Sequence, residues 1–331
     1  MNISEREIFL KALRHEKTEF LPDPSKVVKT VFPVNGFHER PPYNQSGKDW
    51  FGVEWIYEET GGAAVPDHQK PPLLDDIANW RDKVKFPDLD NWDWKEAARL
   101  DNIHTIDKEN NLVVLTLLEG PFERLHALMG FENALLALME EPEEVTDFFD
   151  ALMDYKCRLI DKTAEYYEPD IITFHDDWGT QNNMFFSPDK WRSLIKQQIK
   201  KAVDACHRNG IFFEMHSCGK VEQVVPDFVE MGIDSFQGMS INDVPKLMKS
   251  TGNRLMYHMS LNSQRYEAES AAGTLTEEQL RMDVRNEVLK NTKDSNYIAR
   301  SPRMKTWWSS AANEEIEKCR FELRLGYLSG R

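Results

Sequence analysis

The chain has 331 residues, a net charge of −15 and 40% hydrophobic residues. This length suits a single α/β barrel with insertions or two ordinary domains, and the hydrophobic fraction is sufficient for a large core. The negative charge argues against a general nucleic-acid or anionic-membrane surface, because phosphates would be repelled. The sequence contains no run of 18 apolar residues and no apolar signal core near its start. We therefore expect a soluble, cytoplasmic protein.

The first third of the chain gives weak signals. Two short strands are predicted near residues 20–24 and 50–59. Residues 25–50 and 61–100 are rich in Pro, Asp and Trp and lack a clear period, which predicts long loops.

Six continuous apolar runs follow, and their character predicts strands that are buried on both faces, as in a parallel sheet. These runs cover residues 111–120, 170–179, 210–219, 232–239, 253–261 and 295–301.

Amphipathic stretches separate the later strands. Residues 187–209 predict a helix in which Ser187 is the N-cap and Gly210 follows the end. Thr276 begins a capping-box pattern, which predicts a helix over 276–290.

Eight strands with intervening helices predict a (β/α)₈ TIM barrel. We expect residues 1–331 to form this single domain, with the two early loops lying over its C-terminal mouth. A doubly wound sheet has the same alternation of strands and helices, and it stays open as the alternative.

The four cysteines are scattered and form no CxxC motif, which is typical of free thiols in a reducing compartment. Cys157, Cys206 and Cys319 each complete an apolar helix stripe, where cysteine acts as a small hydrophobe. Cys218 alone comes at a strand end before a glycine.

The run "FFEMHSCGK" (212–220) places Glu214, His216 and Cys218 on one face of a predicted strand. Imidazole and thiolate are good zinc ligands, so the pattern predicts a metal site with Glu214 as the local candidate for a third ligand. His175, Asp176 or His258 could serve instead. A hydrogen-bonded histidine beside a buried cysteine explains the same spacing, since this pattern is short and common.

Other polar residues lie where a barrel gathers its active groups, at the C-terminal ends of strands. The candidates for catalysis are Glu119, Asp176, Asp177 and His258. A carboxylate at an apolar mouth would have a raised pKa, which suits proton transfer. A helix-capping or loop-stabilising role explains the carboxylates equally well, and a buried core position explains His258. The residues predicted to contact substrate are Glu54, Trp55, His175, Trp178, Gln181 and Gln237.

The block that runs from "FHDDWGTQ" through "SPDKWRSLIKQQIKKAVDACHRNGIFFEMHSCGK" resembles the uroporphyrinogen decarboxylase superfamily. The likeness extends from "REIFLKALRHEKTEFLP" to "SNYIARS", and it implies a (β/α)₈ barrel. True decarboxylases of this superfamily carry an arginine-rich stretch after the first strand. The corresponding region here reads "LPDPSKVVKTVFPVNGFHER" and lacks it.

The resemblance is greater to the cobalamin-dependent methyltransferases of the superfamily, which carry His-x-Cys and a later Cys as zinc ligands. His216 and Cys218 match the first two, whereas "ARSPRMKTWW" offers no third. "DWFGVEWIYEETGGAAVP" is most similar to members grouped with methoxyaromatic O-demethylases. The resemblance therefore implies methyl transfer between a small donor, such as a methyl ether, and a corrinoid protein, with zinc as a cofactor. A homodimer is also expected.

Two other functions stay open. A metal-free decarboxylase or lyase would act on an acidic substrate with Asp176 near the reacting carbon, and it would need cations such as Lys220, Arg254 and Arg300 in its pocket. A non-enzymatic barrel would bind a tetrapyrrole or a corrinoid protein as a scaffold.

Overall fold

The computed structural model describes residues 3–328 except positions 34, 36, 38, 43, 60–62, 253, 293–295, 301 and 303. The predicted strand ends Asn253, Ser295 and Ser301 therefore lie outside the described residues. Backbone contacts divide the chain into two compact units. The terminal unit comprises residues 1–28, 179–183 and 214–331, and the central unit comprises residues 29–178 and 184–213. Among the described residues, no helix is long and apolar enough to cross a membrane.

The described residues contain ten strands in two sheets. They are β1 (Val28–Val31), β2 (Gly47–Lys48), β3 (Glu54–Glu58), β4 (Ala63–Pro66), β5 (Leu112–Leu117), β6 (Ile171–His175), β7 (Phe212–His216), β8 (Ser235–Met239), β9 (Met256–Ser260) and β10 (Tyr297–Arg300). Seven strands form one sheet in the order β1-β5-β6-β7-β8-β9-β10, and β2-β3-β4 form a separate antiparallel sheet. The chain thus has an α/β fold whose main sheet is parallel at β5/β6 and from β7 to β10.

Helices follow most strands of the main sheet. They are α1 (Glu5–Leu13), α2 (Pro24–Val27), α3 (Trp80–Lys83), α4 (Trp94–Leu100), α5 (Pro121–Met129), α6 (Phe131–Glu140), α7 (Pro142–Tyr166), α8 (Pro188–Leu194), α9 (Lys196–Arg208), α10 (Val225–Met231), α11 (Val244–Thr251), α12 (Ser263–Ala271), α13 (Glu277–Asn291) and α14 (Trp307–Leu328). Two short 3₁₀ turns cover Ile77–Asn79 and Ile103–Thr105.

Each of the six apolar runs that predict buried strands contains one strand of the main sheet. The side chains of β5 are buried along almost the whole strand, as the lack of polar alternation indicates. The two predicted N-caps are also confirmed, although the Gln279 side chain of the predicted capping box donates to Asp283 Oδ1 at 2.8 Å. Ser187 Oγ accepts from Lys190 N at 3.1 Å, and Thr276 Oγ1 accepts from Gln279 N at 3.2 Å.

The prediction that residues 20–24 and 50–59 form strands of the barrel is wrong. Residues 20–24 form no strand, because Pro22 and Pro24 lack the N–H groups that a ladder requires, and the first strand begins only at Val28. The run 50–59 does contain a strand, but that strand, β3, belongs to the antiparallel sheet. The main sheet therefore has seven strands among the described residues, not eight. The regions 25–50 and 61–100 also contain short helices and strands where loops alone were predicted.

Candidate active site

In the central unit, two neighbouring parallel strands end side by side and present a cluster of charged groups. Leu117 of β5 is paired with Phe174 of β6, so Glu119 and Asp176 follow their strands at nearly the same level. Gly120 N donates to His175 O at 2.8 Å and continues the ladder by one further bond. Glu119 has a φ of 59°, a left-handed conformation that non-glycine residues adopt mainly at turns and functional sites.

Asp176 is fully buried and caps α5 from outside that helix. Its Oδ1 accepts from Glu123 N at 2.8 Å, and its Oδ2 accepts from Phe122 N at 3.3 Å and from Trp178 Nε1 at 2.6 Å. Gly120, the N-cap of α5, has no side chain with which to cap the helix, and a Cβ there would lie 2.5 Å from Asp176 Cβ. Glycine is therefore the residue that lets Asp176 reach the helix start.

His175, which ends β6, is paired with a carboxylate of α5. Its Nδ1 lies 2.8 Å from Glu123 Oε2, and Arg40 Nη2 donates to Glu123 Oε1 at 2.9 Å. Arg40 also donates to Glu119 through Nε. One buried carboxylate thus holds both a histidine and an arginine, with one oxygen for each.

This arrangement shifts the pKa values of His175, Glu123 and Asp176 away from their ordinary values. Burial opposes charge on His175, yet the Glu123 carboxylate raises the pKa of His175 to about 9. Burial likewise opposes charge on Glu123, but His175 and Arg40 hold the pKa of Glu123 well below its usual range. Burial and the Glu123 charge raise the pKa of Asp176, against its three N–H donors. Environments that separate pKa values in this way are typical of acid–base sites.

The cations of this cluster are all neutralised by carboxylates. The ion pairs are Arg40 with Glu119 and Glu123, Arg124 with Asp49, and Lys156 with Glu39. Burial raises the pKa of the Glu39 carboxyl and lowers the pKa of the Lys156 ammonium, against the attraction between the two groups. The described residues of this cluster therefore carry no surplus of the positive charge that a polyanionic substrate needs.

In the terminal unit, the end of β7 presents the predicted His-x-Cys pair. His216 is the last residue of the strand, and its Nε2 lies 3.4 Å from Cys218 Sγ. Gly219 follows with a φ of 86°, and a Cβ there would lie 2.1 Å from the backbone of Gly179. Asn242 fixes this turn, because its Nδ2 donates to Gly219 O at 3.0 Å.

A chain of polar side chains crosses three strands beside His216. His216 Nδ1 lies 2.9 Å from Gln237 Oε1, and Gln237 Nε2 donates to Glu214 Oε1 at 2.8 Å. Glu214 Oε2 accepts from Ser235 Oγ at 2.8 Å and lies 3.2 Å from His258 Nδ1. Register explains the contacts, since Glu214 is paired with Ser235, His216 with Gln237, and Gln237 with His258.

Arg300, which ends β10, joins this chain, whereas Arg254 does not. Arg300 Nη1 donates to Gln237 Oε1 at 2.7 Å. Arg254 precedes β9, and its Nε donates to Thr251 O at 3.1 Å, so it lies at the opposite end of the strands. The basic set that an acidic substrate would need is therefore not assembled by these two arginines.

Several predicted substrate residues have structural contacts of their own. Trp178 is buried, and its ring packs on Trp191 at 5.2 Å. Trp55 Nε1 donates to Asp49 Oδ2 at 3.0 Å. Gln181 Nε2 donates to the Gln264 side chain.

Glu54 is separated from the Glu123 cluster within the central unit. It pairs with Lys48 at 3.2 Å and lines a cavity of about 380 Å³ together with Met129. Met129 ends α5, whereas Asp176 caps the beginning of that helix. A nine-residue helix is about 13 Å long, so the cavity and the charged cluster lie at opposite ends of α5.

The sequence prediction missed Arg40, Glu123 and Asn242. Glu123 has a weak signal, because it follows Glu119 by four residues, one helical turn. Arg40 and Asn242 lie in poorly periodic stretches, and their roles come from contacts with distant parts of the chain.

Comparisons with known proteins give a family and a fold. The model of the family described as uroporphyrinogen decarboxylase (URO-D) matches residues 49–257. Among solved structures, a methyltransferase from Methanosarcina mazei is similar over 96% of this chain and 99% of its own, with a TM-score of 0.63 and 14% sequence identity. That similarity shows a shared fold. No curated protein matches the sequence.

Proposed function

The chain belongs to the uroporphyrinogen decarboxylase family, and we propose that it is a methyltransferase of a corrinoid-dependent system on the (β/α)₈ barrel that the sequence predicts. In this proposal it moves a methyl group between a small donor, a methyl ether, and a corrinoid carried by a partner protein. The observation that carries the proposal is the His216–Cys218 pair, with Nε2 and Sγ 3.4 Å apart at a strand end. The name of the Methanosarcina mazei protein supports the same reaction class.

The His216–Cys218 pair fits two ligand positions of a zinc ion. Zinc–nitrogen and zinc–sulfur bonds of about 2.0 and 2.3 Å place tetrahedral ligand atoms about 3.5 Å apart. Within the terminal unit, the described residues bring no third His, Cys, Asp or Glu ligand atom to this pair. Both oxygens of Glu214 contact other polar groups. We infer that Glu214 orients the pair, and that bound zinc would act as a Lewis acid there.

Cleavage of a methyl ether leaves an alkoxide or phenolate, which needs a proton. In the central unit, the Glu123 carboxylate raises the pKa of His175 to about 9, which favours its protonated form at neutral pH. A histidine of this pKa is a candidate for a general acid. Glu123 holds His175 through Nδ1. Asp176 is fully buried beneath the helix that it caps, so we assign it a positioning role.

The described residues offer no observation that favours the decarboxylase alternative. Arg40, Arg124 and Lys156 of the central unit are each paired with a carboxylate, and Arg254 lies at the other end of the strands from Arg300. An acidic substrate would meet a cluster whose described residues have no surplus positive charge.

The direct test is methyl transfer from 2-methoxyphenol to cob(I)alamin, followed by the absorbance of methylcobalamin. We expect transfer by the wild-type chain and a loss of about 100-fold or more in His216→Ala and Cys218→Ser, which corresponds to several kcal/mol of lost stabilisation. Cys157→Ser is the matched control, because Cys157 lies on α7 with its Sγ near Lys201 O. Transfer that survives in Cys218→Ser would overturn the role of the pair.

A further inference from the structure

The amide of Gln237 has its orientation fixed from two sides. A guanidinium group only donates hydrogen bonds, so the atom 2.7 Å from Arg300 Nη1 must be the amide oxygen. A carboxylate only accepts, so the atom 2.8 Å from Glu214 Oε1 must be the amide nitrogen. Both neighbours require the same orientation. Gln237 therefore presents oxygen, not nitrogen, toward His216.

This orientation determines which nitrogen of His216 carries hydrogen. The Gln237 oxygen is an acceptor and lies 2.9 Å from His216 Nδ1, so Nδ1 must be the donor. In the neutral imidazole the lone pair is then on Nε2. Nε2 is the atom 3.4 Å from Cys218 Sγ. The nitrogen lone pair and the sulfur thus face each other.

The Glu214 carboxylate holds the side of Gln237 that faces away from His216, and other groups hold Glu214 in turn. Ser235 Oγ donates to Glu214 at 2.8 Å, and His258 Nδ1 lies 3.2 Å from the same oxygen. Glu214 and Ser235 are buried, and these groups lie in register on three neighbouring strands. The Gln237 amide consequently has little freedom to flip, since a flip would face its NH₂ group toward Arg300 and its oxygen toward Glu214.

We propose that Gln237, held by Arg300 and Glu214, is a positioning residue that keeps His216 in the tautomer with its lone pair on Nε2, so that Nε2 and Cys218 Sγ bind one soft divalent metal ion. This rests on the metal-binding role of the pair in the proposed function. It changes the role predicted for Gln237 from contact with substrate to orientation of a ligand. Hydrogen bonds of this kind to a metal-binding histidine typically change metal affinity by about 10–100-fold.

Cobalt(II) titration of the metal-free full-length chain tests the proposal without any methyl transfer. The sulfur-to-cobalt charge-transfer band reports binding at Cys218. We expect Gln237→Leu, which removes the acceptor for His216 Nδ1, to weaken Co²⁺ binding by about 10–100-fold. Gln279→Leu is the matched control, because Gln279 is exposed on α13.

Equal Co²⁺ affinity in Gln237→Leu and wild type would overturn the positioning role alone. A wild-type chain with no charge-transfer band, or a band that persists in Cys218→Ser, would instead overturn the metal-binding role on which it rests. Nitrogen-15 NMR of histidine-labelled, metal-free wild-type protein reads the tautomer without a variant. We expect hydrogen on Nδ1 of His216, and hydrogen on Nε2 would contradict the proposal.

Discussion

Replacing Asp176 with alanine should destabilise the protein strongly, because this carboxylate accepts from two N–H groups at the start of α5 and from the Trp178 indole. The donors are Phe122 N, Glu123 N and Trp178 Nε1, at 2.6–3.3 Å, and Asp176 itself is fully buried. Each buried donor left without an acceptor costs about 1–3 kcal/mol, and loss of a helix cap alone costs about 1 kcal/mol. With partial relaxation of the helix start, we expect Asp176→Ala to lower the free energy of unfolding by about 3–6 kcal/mol.

Two companion variants separate the capping role from the charge of the site. Asp176→Asn keeps the shape and one acceptor oxygen, and burial already disfavours a charge at this position, so we expect a smaller loss of about 1–2 kcal/mol. Asp177→Asn is the matched control, because the Asp177 side chain is 28% exposed. Its effect should stay within about 1 kcal/mol.

Urea unfolding at pH 7, followed by tryptophan fluorescence and far-UV circular dichroism, measures all three variants. The order of stability should be wild type and Asp177→Asn, then Asp176→Asn, then Asp176→Ala. A loss below about 1 kcal/mol in Asp176→Ala would refute the claim that this side chain caps α5. Equal losses in Asp176→Ala and Asp177→Asn would refute it as well.

Two further predictions concern the same cluster. Gly120→Ala should lower the free energy of unfolding by about 1–3 kcal/mol, because its Cβ would lie 2.5 Å from Asp176 Cβ. Gly326→Ala on α14 is the control and should not lower it, because a Cβ there would meet no atom within 4 Å and alanine favours a helix. Thermal unfolding compares the two variants. The pKa of His175 rises from 6.5 to about 9 on folding, so its stabilisation is complete below about pH 6.5 and is lost as the pH rises through 9. This gap corresponds to about 3 kcal/mol, measured by urea unfolding across this range, and Glu123→Gln should abolish the dependence.

The sequence could predict those parts of the fold that depend on local chemistry. A buried parallel strand needs apolar residues on both faces, so the six later strands are evident from composition alone. The caps at Ser187 and Thr276 depend on contacts within three residues and were predicted correctly. The weak strand signal of residues 50–59 also predicts a strand, but it cannot say which sheet that strand joins.

Of the candidate site, the sequence could predict the residues at strand ends but not the partners that these residues contact. The barrel rule selects the ends of β5, β6 and β7, and it therefore finds Glu119, His175 and His216. It cannot reveal that Glu123 takes His175 as its partner across 52 positions of sequence. Nor can it reveal Arg40, which reaches Glu123 from 83 positions away in a stretch with no periodic signal. Such pairings depend on the packed fold, and local patterns carry no information about them.

The most direct test of the central claim is the zinc content of the chain, purified without added metal and without a metal-binding tag. If His216 and Cys218 form one centre, as their 3.4 Å separation indicates, wild type and Cys157→Ser should each hold about one zinc ion per chain. His216→Ala and Cys218→Ser should both lose it. Zinc that is absent from wild type, or that remains in both variants, would contradict the account.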